Sequence, residues 1–112
     1  MANPVTQLEM ADKSVVHVGD QRKIRALITD VDDAASEPTQ IRIVITPDNA
    51  PSSAKTYAKT AVSPEVAMTK DADGNYYATH TFTVAGWHSV VATGSGNMGE
   101  VEPARIRVYP VP

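Results

Sequence analysis

The run Lys23-Ile24-Arg25-Ala26-Leu27-Ile28-Thr29 decides the fold class. Ile24, Ala26 and Ile28 share one parity, while Lys23, Arg25 and Thr29 take the other. Successive side chains of an extended chain point to opposite faces, so this period of two marks a strand with one face on a core. The pattern returns in Ile41, Ile43 and Ile45 against Arg42 and Thr46, with Val44 as the exception. It returns again in Ala104, Ile106 and Val108 against Arg105, Arg107 and Tyr109. Strands are expected at about 22–30, 40–46 and 104–109.

Weaker strands fill the space between. Val15, Val16 and Val18 precede the turn signal Gly19-Asp20, and two short Thr- and Val-containing stretches at 56–62 and 65–69 are parted by Ser63-Pro64. Residues 75–84 and 87–93 flank Ala85-Gly86 and read as a hairpin, preceded by the tight-turn pair Asp73-Gly74. The stretches 30–38 and 47–54 read as end loops. No window sustains a helical period, and the best candidates are cut by Pro51 and Pro64. Turn signals every 8–12 residues give seven to eight short antiparallel strands, the pattern of an immunoglobulin-like β-sandwich, with a closed barrel as runner-up. Residues 1–13 are expected to form an N-terminal arm or edge strand, and 14–112 the sandwich domain.

Composition narrows the function classes. The chain has 112 residues, enough for one domain, and 42% hydrophobic content, too apolar for a disordered one. With Cys 0 there is no disulfide, thiolate metal site or cysteine nucleophile. Ten basic against thirteen acidic residues give a net charge of −3, which argues against a dedicated nucleic-acid binder. No apolar run is long enough for a membrane span, and the Met1-Ala2-Asn3-Pro4 start lacks the features of a signal peptide. Synthesis in a cytoplasm, as a complete single sandwich plus a short arm, is the expectation.

Chemistry-bearing groups are sparse. Turning the 75–93 hairpin about Ala85 would make His80 and His88 diagonal neighbours, the start of a two-histidine metal site. No third ligand has suitable spacing, so both read as core or edge histidines and no metal or cofactor is expected. Asp30, Asp32 and Asp33, and Asp71 and Asp73, could meet at one end of a sandwich around calcium; they read instead as turn formers. Ser89 follows His88, yet neighbours on a strand face opposite ways, so no nucleophile–base pair forms. No enzyme is expected. The outward parity is more informative: it carries Lys23, Arg25, Arg42, Arg105 and Arg107, and Trp87 joins it if His88 faces the core. Arginine and tryptophan are typical interface anchors. The alternatives are a solvated sheet face with cross-strand ion pairs, and a Trp87 covered by the segment Val5 to Met10.

Asp73-Gly74-Asn75-Tyr76, Thr81-Phe82-Thr83 and Gly86-Trp87-His88-Ser89-Val90 resemble the second half of filamin-type and bacterial immunoglobulin-like domains. The resemblance implies that Tyr76 and His88 point into the core. Across the whole chain, Val18-Gly19-Asp20, the strand ending Thr29-Asp30, the Glu37-Pro38 turn, the D-G-x-Y and G-W motifs and the closing strand resemble small virion structural proteins of tailed bacteriophages. This second resemblance implies a non-enzymatic head-decoration or neck protein, assembled in the host cytoplasm. It would bind capsid or neck proteins, or further copies of itself, with no nucleic-acid or membrane partner. Contact would run through Trp87, Arg25, Arg42, Arg105 and Arg107, with Pro4 to Met10 as an arm. The rival reading is a bacterial surface or carbohydrate-binding immunoglobulin-like module from a larger secreted protein, stacking a sugar on Trp87 or Tyr77. A calcium-dependent module is a third.

Overall fold

The computed structural model describes residues 5–10, 14–29, 37–96 and 104–111. In chain order the strands are β1 (Val5–Met10), β2 (Val16–His17), β3 (Gln21–Thr29), β4 (Pro38–Pro47), β5 (Lys55–Ala58), β6 (Val66–Ala67), β7 (Thr69–Ala72), β8 (Asn75–Thr81), β9 (Gly86–Gly96) and β10 (Ala104–Tyr109). A 3-10 turn, Pro51–Ser53, is the only helical piece among the described residues. One sheet has the order β1-β3-β8-β7 and the other β2-β10-β9-β4-β5-β6. The chain is therefore all-β and two-layered, as expected. No ladder joins the two sheets among the described residues, which sets aside the closed barrel.

Both sheets contribute their inward parity to one core. Ile24, Ala26, Ile28, Tyr76 and Ala78 come from the first, and Ile41, Ile43, Ile45, Tyr57, Val90 and Val108 from the second. The alternation in the sequence thus sorts side chains between core and solvent on three strands that lie in two different sheets.

Three expectations change in detail. The described residues hold ten strands rather than seven to eight, because 65–69 divides into β6 and β7 and the 5–10 segment is a strand in its own right. Two pairings are parallel, β2 with β10 and β5 with β6. The first arises because the chain leaves β1 at the edge of one sheet and joins the edge of the other. The third change is the hairpin: β8 pairs with β3 and β7, β9 with β10 and β4, so residues 75–93 form an arch between sheets.

Phe82 is the pivot of that arch. Its N–H donates to the Asp20 carbonyl at 3.0 Å and its carbonyl accepts from Gly19 N–H at 2.7 Å, prolonging the β3–β8 ladder. Its ring is fully buried. The chain re-enters the second sheet at Gly86, whose φ of 109° suits only glycine. A Cβ there would meet the Asn49 side chain at 2.7 Å.

Candidate functional site

The β9–β10 register builds the outward face. Ile106 lies opposite His88 and Arg107 opposite Trp87. His88 faces the core at 1% exposure, and its Nδ1–H donates to the Gly86 carbonyl at 3.1 Å. Trp87, one residue earlier, therefore faces out and is 46% exposed. The Arg105 and Arg107 guanidinium carbons lie 5.5 Å and 5.9 Å from the indole centroid. Arg107 also lies 4.9 Å from the Tyr109 ring, and Tyr109 stands 6.1 Å from His17 on β2. The result is a stack of cations and aromatic rings across the sheet edge, each contact worth roughly 0.5–1 kcal/mol where exposed.

The two arginines differ in their charge balance. Arg105 donates to Asp48 at 2.6 Å. Arg107 has no carboxylate within 4.0 Å among the described residues. A guanidinium close to two rings, with no carboxylate partner among the described residues, is suited to accept a carboxylate or similar anion.

Only part of the expected surface assembles here. Trp87, Arg105 and Arg107 come together. Arg42 shares their sheet but lies opposite Thr93, several residues up β9, and donates to Glu65 at 2.8 Å. Arg25 belongs to the other sheet, where it meets Asp71 at 3.4 Å. Alternation gives a residue's face but not its sheet, and the expectation of one arginine face conflated the two. Segment Val5–Met10 is paired to β3 as an edge strand, and Trp87 is 46% exposed; Pro4 lies outside the described residues. Tyr109, His17 and Asp48 join the stack without being expected in it. Tyr109 was legible in the outward parity of β10, whereas His17 arrives only through a parallel pairing and Asp48 from the loop after β4.

The other candidate groups are occupied differently. His80 and His88 are not sheet neighbours: they flank Phe82 from two sheets, with ring centroids 4.7 Å and 5.3 Å from it. Both border a cleft of about 350 Å³ with Lys55 and Thr83. Asp71 and Asp73 are engaged by Arg25 and Lys70 respectively; Asp30, Asp32 and Asp33 lie outside the described residues. Ser89 faces Arg105 and Thr46 on the outer side, away from His88. Tyr77 sits under the Lys23 ammonium at 4.1 Å, on the sheet opposite Trp87.

Glu37 ties the start of β4 to the β7–β8 turn. It accepts from Gly74 N–H at 2.9 Å, from Lys59 at 2.8 Å and from the Tyr76 hydroxyl. Burial alone would raise its pKa, but the bonds from Lys59, Tyr76 and Gly74 outweigh it and bring the carboxyl down to about 2. His80 is also displaced, to about 4, by burial first and then by Lys55 and His88; its Nδ1 lies 2.7 Å from the Tyr57 hydroxyl.

These two groups set separate acid transitions. His80 is held neutral when folded, so stability falls as pH drops from about 6.5 towards 4, by at most about 3 kcal/mol. Glu37 is held ionised, so its contribution is complete above about 4.5 and is lost as pH falls towards 2. Its partial exposure limits this to the order of 1 kcal/mol. Urea denaturation across pH 2–7 is expected to show both losses. Glu37→Gln removes the lower one and His80→Phe the upper; a profile unchanged in either variant refutes that group's assignment.

No known protein-family model matches the sequence, and no curated protein matches it. The chain is an all-β, two-sheet protein with an exposed tryptophan–arginine stack at one sheet edge.

Proposed function

We propose that the chain is an immunoglobulin-like sandwich that acts as a non-enzymatic structural component of a bacteriophage virion, docking on capsid or neck proteins through the Trp87 face. The immunoglobulin-like reading is supported by strand order. The β1-β3-β8-β7 sheet corresponds to the A-B-E-D sheet of that architecture, and β10-β9-β4-β5 to its G-F-C sheet extended by a further strand. The virion reading rests on the motif resemblance. The docking reading rests on one observation: Trp87 stands exposed between two arginines, one of which lacks a carboxylate partner among the described residues. Tryptophan and arginine are the residues that dominate protein interfaces. Sugar stacking is less well served, since guanidinium groups lie over the indole and an ammonium over Tyr77.

The direct test is composition. Particles produced from the genome that encodes the chain are purified and analysed by quantitative mass spectrometry. The expected result is a stoichiometric structural component that survives gradient purification. Absence from the particles, with the chain found free or on the host surface, overturns the virion reading in favour of the surface module.

A further inference from the structure

Beside the Trp87 stack the two sheets part and leave an apolar cleft. Leu8 and Met10 of β1 form one wall, Ala104 and Ile106 of β10 the other, and Ile24 and Val90 the floor. The floor residues are 2% and 1% exposed, so the cleft reaches the core. Its volume is about 180 Å³. Among the described residues β1 pairs only with β3, and β10 meets β2 only at Val108 and Tyr109. Among the described residues no strand closes the seam between β1 and the start of β10.

Arg105 joins the cleft to the stack: it lines the cleft, while its guanidinium crosses the indole to Asp48. Glu9 stands on the other wall.

We propose that the cleft and Arg107 together receive an extended acidic segment of the partner protein, with one bulky apolar residue entering the cleft and a carboxylate two or three residues away meeting Arg107. This rests on the reading of the Trp87 face as a docking surface and specifies what that face recognises. The size fits one side chain: a cavity of about 150 Å³ is enough for benzene. Ile106 lines the cleft and Arg107, its neighbour, faces outward, so the segment crosses the β10 edge with its apolar residue inward and its carboxylate outward. The charge requirement follows from Arg107, whose donors face no carboxylate among the described residues. Glu9 repels acid beyond the anchor, which places the partner's carboxylates on the β10 side only. A second copy pairing edge to edge through β10 would set Arg105 and Arg107 against their own counterparts, an unfavourable like-charge ladder. An acidic partner has no such conflict.

Two labelled peptides test this by fluorescence anisotropy with the 112-residue chain in low salt: Asp-Glu-Gly-Leu-Gly-Gly and the same peptide with serine for leucine. The leucine peptide is expected to bind with a dissociation constant on the order of 100 μM, and the serine peptide about tenfold more weakly, as for loss of one apolar anchor. Ala104→Leu fills the cleft and should abolish the difference between peptides. Arg107→Gln should weaken both alike, and Asp48→Asn, which releases Arg105, should strengthen both. Equal binding of the two peptides to the unaltered chain overturns the cleft and leaves the Trp87 face standing. If neither peptide binds, the acidic-segment proposal is overturned. The docking face then fails as well only if Trp87→Ala leaves particle occupancy unchanged.

Discussion

Phe82→Ala is expected to cost about 3–5 kcal/mol, the range for removing a large buried aromatic ring. Against a total stability of about 5–15 kcal/mol for a domain of this kind, that removes between a fifth and the whole of it. The reason is the number of elements that meet at one ring. Phe82 is completely buried, its edges meet His80 and His88, and its backbone holds the Gly19–Asp20 turn onto the end of β8. Removing the ring leaves a void beside two imidazoles, of which His80 is already held neutral by burial. Thermal denaturation at pH 7 should show the midpoint falling by roughly 15–25 °C for a domain of this size. Phe82→Leu, which keeps most of the volume, should cost about a third as much. A loss below about 1 kcal/mol for the alanine variant would mean that the arch is not a core element, and the two-sheet packing around it would need revision.

Phe82 also shows where sequence reasoning reached its limit. The flanking stretches alternate cleanly and are separated by a glycine turn, which is the local signature of a hairpin. The same signature serves an arch between sheets. What separates the two is whether residues 82–85 fold back beside their neighbours or cross the core, and that is decided by burial of Phe82 from both layers. Period two located β3, β4 and β10 within one or two residues at most of their ends, because core burial on one face is a local property. It could not assign Arg25 and Arg105 to different sheets, since parity is shared by both layers. The bonding role of Glu37 was not legible for a related reason. It lay at the end of a stretch read as a loop, and its contact with Tyr76 spans 39 positions with no periodic trace. Trp87 was legible from a single inference, that His88 faces inward. Arg107 gained its significance only when the β9–β10 register placed it opposite that indole.

Trp87→Ala and Arg107→Glu are expected to lower retention of the chain on particles by roughly 30-fold or more, while Arg25→Glu leaves it unchanged. Truncating a central interface tryptophan typically costs 2–4 kcal/mol of binding. Here the loss compounds, because the indole also contacts both guanidinium groups; its removal leaves Arg105 held by Asp48 and Arg107 with the Tyr109 ring alone. The charge reversal at Arg107 acts differently: it sets a carboxylate against an acidic partner and should slow association, an effect that weakens as salt screens it. Salt dependence therefore separates the two variants even where their occupancies match. Arg25 is the informative control, since it has the same residue type and outward parity but sits on the opposite sheet, paired to Asp71. All three positions are outside the core, so folding stability should move by no more than about 1 kcal/mol, checked by circular dichroism melts. If Arg25→Glu depletes the particles and Trp87→Ala does not, the contact runs through the four-stranded sheet. The Arg107 guanidinium, which meets no carboxylate among the described residues, would then be a solvated edge, and the acidic partner inferred from it would have no site.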